Sequence, residues 1–353
     1  MEKRNTKLEI LRIISMVLIV LSHYVMHSGY DIHHLPVGFN RYILEISILG
    51  NIGTMLFVLI SGYFLISSNE IRFKKLFRFL AQVSFYSITI YLLLIFLKIE
   101  TFDIKSLVLN LFPITFKRYW FATAYFVLYL FHPFINKFLN SIQRNDHLKF
   151  ILFGVSIFYI FCTLTTMDYY GNELVYFVFL YSIGAYFSKY KDNQFCKGNT
   201  SFKIMILSAT IIALSIIMFD LIGTKISYVG NHSTYLLNMY SIFALMLSSS
   251  IFCIFSTMKP SFNNIINYIS SLVFGIYLIS DNKYLRSIIW CDLLKNNKFF
   301  SSDYLIIHII VSVMIVCCIC LFIELVRKLL FDKCIFKFFD EKIVLLEKKY
   351  TVE

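Results

Sequence analysis

Hydrophobic runs of roughly 20 residues recur along almost the whole chain, and no other feature restricts its fold as strongly. A helix needs about that length to cross about 30 Å of hydrocarbon. The runs do not alternate residue by residue, as the strands of a transmembrane barrel would. Of the 353 residues, 58% are apolar and 15% charged, too few charges to clothe a soluble core of this size. Only four prolines and twelve glycines interrupt them. The expectation is therefore an all-α, polytopic transmembrane helical bundle of about ten helices, multi-pass in the cell (cytoplasmic) membrane. Its spans read 8–28, 43–66, 77–98, 119–138, 148–166, 173–189, 202–221, 234–257, 264–282 and 303–326, with the fourth, sixth and ninth short or rich in Tyr and Ser. Residues 1–353 read as a single integral membrane domain with no fused soluble domain and no internal repeat. The first run follows basic residues but closes on His27, Ser28, Gly29 and Tyr30, no small-residue cleavage site, so it reads as a retained helix.

Loop charge orients the bundle. With Lys3, Arg4 and Lys7 inside, the even-numbered connections and the C-terminal tail from Arg327 and Lys328 are cytoplasmic too, and that side holds about twice the Lys and Arg of the other. Both termini are thus expected in the cytoplasm. The outer loops at 98–118 and 283–298 each carry four basic residues, so the asymmetry is imperfect. The net charge of +12 is spread between apolar runs, which argues against a nucleic-acid partner. The eight cysteines form no extracellular disulfide framework: Cys317, Cys318 and Cys320 lie inside an apolar run, and Cys196 and Cys334 fall in cytoplasmic segments, all read as free apolar thiols. His27, His33 and His34 lack a ligand set of fixed spacing, and no metal site is expected; a Gly-rich phosphate loop and a Ser nucleophile elbow are absent as well.

Charge inside a membrane helix is costly and usually faces protein or water. The first span, KLEILRIISMVLIVLSHYV, holds Glu9, Arg12 and His23. Arg12 and His23 are eleven residues apart, near three turns, so they share a face within about 20° and are separated by roughly 16 Å of rise. Glu9, one turn below, can pair with Arg12. Two readings compete for each: interfacial snorkelling against a polar conduit for Glu9 and Arg12, and a loop-bonded outer histidine against a general base for His23. In the second span, Gly50, Gly53, Ser61 and Gly62 let neighbouring helices approach. The cluster Arg72, Lys74, Lys75 and Arg78 reads as an anchor on anionic lipid or as a site for a phosphorylated cytoplasmic ligand. Trp120 with Tyr119 and Tyr125 suits a sugar-stacking surface or an interfacial aromatic belt. Asp281, Lys283 and Arg286 suit an acceptor contact or an ordinary solvated loop.

These residues, taken in order, resemble the membrane-bound acyltransferase 3 family, which O-acylates bacterial surface polysaccharides. The resemblance runs over most of the chain: Arg12, ten residues and His23, with Glu9 before them; Phe57, Ser61, Gly62 and Tyr63; Lys74, Lys75 and Arg78; YWFATAYFVLYLFHP, containing Trp120, Phe121, Tyr125, Tyr129 and Pro133; YSIGAYFSKY; and SSLVFGIYLISDN, with Tyr277. Where many members have a histidine after that last motif, this chain has Ser280, Asp281 and Asn282. The role of that histidine is not carried over.

The resemblance implies transfer of an acyl group, in most members acetyl, from cytoplasmic acyl-CoA to a hydroxyl of a surface or capsular polysaccharide or its lipid-linked precursor. Acyl-CoA would be a substrate, with no permanently bound cofactor. Lys74, Lys75 and Arg78 would hold donor phosphates, Arg12 with Glu9 would orient the donor, and His23 would act as general base or as a covalent acyl carrier. Trp120, Tyr125, Tyr277 and Asp281 are candidates for the acceptor side. Membrane lipid, acyl-CoA, the glycan acceptor and polysaccharide-assembly machinery are the expected partners, with no nucleic acid. An export component or flippase of the same fold is the competing reading, and a non-catalytic subunit of a glycan-assembly complex is a third.

Overall fold

The computed structural model describes residues 5–165 and 173–350, with side chains up to Phe331. Lys3, Arg4 and the Cys334 side chain lie outside the described residues. Among those described, every regular element is helical: α1 (Thr6–Met26), α2 (Phe39–Ile46), α3 (Gly50–Leu65), α4 (Phe73–Phe96), α5 (Ile104–Leu111), α6 (Trp120–Ser141), α7 (Arg144–Val155), α8 (Cys162–Thr165), α9 (Glu173–Lys189), α10 (Gly198–Gly223), α11 (Ser227–Gly230), α12 (Ile242–Thr257), α13 (Asn264–Ser270), α14 (Val273–Ser280), α15 (Leu285–Ser287) and α16 (Leu305–Tyr350). Seven segments among the described residues are long and apolar enough to cross a membrane: Thr6–Met26, Phe39–Leu65, Phe73–Phe96, Arg144–Thr165, Gly198–Gly223, Ser227–Thr257 and Leu305–Phe331. The expected fourth, sixth and ninth spans fall on α6, α9 and the pair α13–α14, helices outside that set of seven.

Local chemistry explains the irregularities. Asn5 caps α1 by accepting from the Lys7 backbone N–H. Pro133 sits inside α6 and cannot donate to the Tyr129 carbonyl; His132 Nδ1 lies 2.5 Å from that oxygen and takes the vacant place. A π-turn at Ser156–Phe161 joins α7 to α8.

α1 is the central post, packed against α3, α12, α13, α14 and α16. The small residues of α3 do what their size suggests. A Cβ on Gly53 would strike the Ser15 carbonyl of α1, and one on Gly62 would strike the Tyr181 carbonyl of α9. Gly184 of α9 meets the Leu59 carbonyl in the same way, so α3 and α9 touch backbone to backbone.

Charged residues tie the outer helices together. Arg41 of α2, 5% exposed, donates from Nε to Glu45 Oε1 (3.2 Å), from Nη2 to Asp220 Oδ1 of α10 (2.5 Å) and from Nη1 to the His33 carbonyl (3.0 Å). Ser233 adds a hydrogen bond to Glu45 Oε1 at 2.7 Å. Between α4 and α16, Glu324 accepts from Tyr86 (2.7 Å) and pairs with Arg327 (2.9 Å from Nε). One cysteine expectation is corrected: Cys196 and Cys253 are paired as a disulfide, with Cα atoms 5.0 Å apart, because the turn before α10 folds back onto α12. Cys317, Cys318 and Cys320 are free.

Candidate functional site

Two polar places occupy opposite ends of α1. At the Arg12 end, the Arg12 guanidinium pairs with both Glu9 oxygens (Nη1 to Oε1 3.2 Å, to Oε2 3.1 Å). Glu9 is buried and also accepts from Ser270 of α13 at 2.5 Å. The carboxylate is thus held from two helices and fixes the arginine, whose own side chain remains 28% exposed. Arg12 borders a cavity of about 840 Å³ lined by Glu9, Lys75, Ser61, Tyr125, Tyr129 and Lys191, among others. Its guanidinium also lies 5.7 Å from the Phe64 ring centre.

At the other end, His23 Nδ1 is 3.3 Å from Ser280 Oγ of α14. The imidazole is buried, and its Nε2 lies 3.9 Å from Asp281 Oδ1. His27, the residue that caps the C-terminus of α1 one turn further on, places Nε2 3.2 Å from the same oxygen, and the two imidazole centres are 5.0 Å apart. Arg286 Nη2 approaches Asp281 Oδ1 at 3.2 Å and its carbonyl at 3.2 Å. Asp281 is only 5% exposed, which removes the solvated-loop reading. Its segment is pinned from behind: Asn282 Nδ2 donates to Tyr119 Oη at 2.7 Å, and Tyr119 donates to the Leu278 carbonyl at 3.1 Å.

Aromatic rings run between the two places. Tyr125 stacks on Phe121 (5.9 Å between centres), Phe121 meets Tyr277 (5.6 Å), and Tyr277 lies one helical turn before Asp281. Tyr277 Oη is buried and has no hydrogen-bond partner among the described atoms. The Ser280 hydroxyl, the Asp281 carboxylate one position later and the His23 imidazole lie together in a closed space, an arrangement chemically capable of moving a proton.

The structure joins Glu9, Arg12, Lys75 and Tyr125 around one cavity, and His23 with Asp281 around another centre. Lys74 and Arg78 share the first turns of α4 with Lys75 but do not line the cavity. Tyr125, expected on the acceptor side with Trp120, instead belongs to the Arg12 end, where Ser61 Oγ is 3.3 Å from its hydroxyl. Five residues of helix turn through 500°, so Trp120 and Tyr125 point about 140° apart. Trp120 packs half-buried on Phe121 and Phe177, with ring centres 6.0 and 6.3 Å away. Sequence reasoning placed Arg286 beside Asp281 as a possible acceptor contact and weighed His27 only as a metal ligand with His33 and His34; it missed Ser280 as a partner of His23 and Lys191 on the cavity. His27 alone had a readable signal, its one-turn spacing from His23.

A family model described as an acyltransferase domain, that of the acyltransferase 3 family, matches residues 5–324. No curated protein and no solved structure matches the chain.

Proposed function

The chain belongs to the acyltransferase 3 family and is a membrane acyltransferase, and from that premise we propose that it moves an acyl group, acetyl by preference, from cytoplasmic acyl-CoA to a hydroxyl of a surface or capsular polysaccharide or its lipid-linked precursor. The observation that carries the reading is the division of α1: a cation-lined cavity at Arg12 and a buried imidazole–carboxylate centre at His23. In this reading the chain makes about ten crossings with both termini in the cytoplasm, so the cavity opens inside and His23 lies toward the outside.

The donor's phosphates would meet Lys75, Lys191 and Arg12 in the cavity, with Lys74 and Arg78 raising the local potential at its mouth. The pantetheine arm would run past Tyr125 and Phe121, carrying the thioester along the roughly 16 Å between Arg12 and His23. When Ser280 accepts from Nδ1–H, the lone pair of His23 Nε2 is free to take the proton of the acceptor hydroxyl. The alkoxide oxygen bonds to the thioester carbonyl carbon, the C–S bond breaks, and the departing thiolate collects the proton from the imidazolium. Asp281 stands where that imidazolium forms and stabilises it. Tyr277 and Asp281, rather than Trp120 and Tyr125, are the acceptor-side residues in this scheme.

The test is acyl transfer by purified protein in lipid nanodiscs supplied with labelled acetyl-CoA and glycan from cells lacking the gene. Transfer that His23→Gln abolishes supports the reading. Undiminished transfer by a stably inserted His23→Gln protein removes the base, and unacylated glycan from cells with the gene intact removes the activity.

A further inference from the structure

The group around Asp281 has a second capacity that proton transfer does not use. His23 Nε2, His27 Nε2 and Asp281 Oδ1 each offer one ligand atom, and the three lie within 4.8 Å of one another. We propose that these three residues form a binding site for a zinc-like divalent cation, and that its occupancy switches acyl transfer off. The inhibitory half rests on the acyl-transfer reading given above; the binding half does not.

Geometry favours a small, borderline metal. Zinc bonded to imidazole nitrogen and carboxylate oxygen at about 2.0–2.2 Å has tetrahedral edges of about 3.3 Å. The His27–Asp281 edge is already 3.2 Å and the His23–Asp281 edge is 3.9 Å. The His23–Asp281 edge must close by about half an ångström, and the edge between the two imidazoles, within 4.8 Å, closes with it. The two rings, one on the last turn of α1 and one on its C-cap, lie 5.0 Å apart and tilt by 34°, so a modest rotation about side-chain bonds converges them. Two imidazoles and one carboxylate suit zinc, cobalt, nickel or copper, and do not suit calcium or magnesium, which need oxygen cages. Three protein ligands leave a fourth tetrahedral position open.

The surroundings are arranged to support such a site. Ser280 on His23 Nδ1 holds the ring so that Nε2 faces Asp281, the outer-shell contact that metal-bound histidines commonly have. Arg286 is the opposing element: its guanidinium sits 3.2 Å from Asp281 Oδ1 and competes with a cation for the same oxygen. In the metal-free protein Arg286 therefore occupies the charge position that the metal takes. A metal on His23 Nε2 consumes the lone pair that would accept the hydroxyl proton, and this couples occupancy to silence.

The experiment titrates the purified metal-free protein with Zn²⁺ in the absence of acyl-CoA and glycan, read by competition with a chromophoric chelator. Co²⁺ then replaces Zn²⁺ and its visible ligand-field absorption is recorded. The proposal expects one ion per chain, an intense four-coordinate Co²⁺ spectrum, at least tenfold weaker binding in His27→Ala and in Asp281→Asn, and tighter binding in Arg286→Gln. His33→Ala and His34→Ala should bind as the unsubstituted protein does. Binding that survives His27→Ala but vanishes with His33→Ala or His34→Ala overturns the site, as does the absence of saturable binding in the unsubstituted protein. In the acyl-transfer assay, Zn²⁺ should inhibit over the range in which it binds. A rate that is unchanged or raised at full occupancy overturns the switch while leaving the binding site standing. An inactive protein that binds zinc as expected would count against the acyl-transfer reading alone.

Discussion

Replacing Asp281 by Asn keeps the shape of the side chain and removes its charge, which isolates what the carboxylate does for His23. The nearest carboxylate oxygen is 3.9 Å from Nε2. Two unit charges at that separation interact by about 4 kcal/mol when the effective dielectric constant is about 20. That figure is the ceiling for stabilising the imidazolium in the transition state. Arg286 sits on the same oxygen at 3.2 Å and neutralises part of the field. Taking about half of the ceiling gives about 2 kcal/mol, or about 30-fold in kcat, and the whole of it gives about 1,000-fold. Since the donor cavity is at the other end of α1, KM for acyl-CoA should stay within about twofold. The assay is thiol release from acetyl-CoA in the presence of glycan, with thermal unfolding in detergent as a control for folding. Arg286→Gln added to Asp281→Asn removes the stranded positive charge beside the imidazolium and should recover part of the lost rate. A well-folded Asp281→Asn protein within about threefold of the unsubstituted kcat would refute an electrostatic role for this carboxylate.

Other perturbations follow from the same geometry. Lys75→Ala and Arg12→Ala should raise KM for acyl-CoA severalfold, with a salt dependence weaker than that of the unsubstituted protein, measured by initial rates at two ionic strengths. Arg41→Leu strands Glu45 and Asp220 without their cation and should cost about 3–5 kcal/mol, read as a lowered unfolding midpoint; no shift would show that the pair is dispensable. Gly62→Val places side-chain carbons against the Tyr181 carbonyl and should lower stability by about 1–3 kcal/mol or prevent assembly, checked by yield of folded protein on size exclusion. Burial first, and then the Arg41 guanidinium, hold the His33 imidazole below its ordinary value of 6.5. A histidine kept neutral in the fold supports it above the unfolded value and withdraws that support as pH falls through about 6.5. The unfolding midpoint should therefore drop between pH 7 and 5, and His33→Asn should flatten that slope.

What could be read along the chain was what a single helix fixes by itself. The Glu9–Arg12 pair and the shared face of Arg12 and His23 depend only on helical pitch, and both are visible in the sequence. His27 carried the same signal but is also near His33 and His34 in sequence, and the fold sends those two elsewhere: His33 to Arg41, His34 toward Asp31. Asp281 lies 258 residues from His23, and no periodicity links α14 to α1. Its neighbours Lys283 and Arg286 make the segment look solvated, because local charge says nothing about Tyr119, at the start of α6, which holds Asn282 from behind. The membrane-crossing pattern was legible in the long runs. It was least so at α9, 17 residues long, and at α13–α14, broken at Ser271 and Leu272, where helix length and hydropathy separate. The pairing of Cys196 with Cys253 depends on a turn packing back across 57 residues, which composition cannot show.

The Arg41–Asp220 contact also puts biosynthesis on a clock. The two residues are 179 positions apart, and a ribosome adding about 5–20 residues per second delivers the second about 9–36 s after the first. During that wait the one carboxylate beside Arg41 is Glu45, one turn away on its own helix. When α10 arrives it brings Asp220, a second carboxylate on the same guanidinium. The joining of α2 to α10 is therefore a late step in assembly, one that waits on more than half of the chain's first 220 residues.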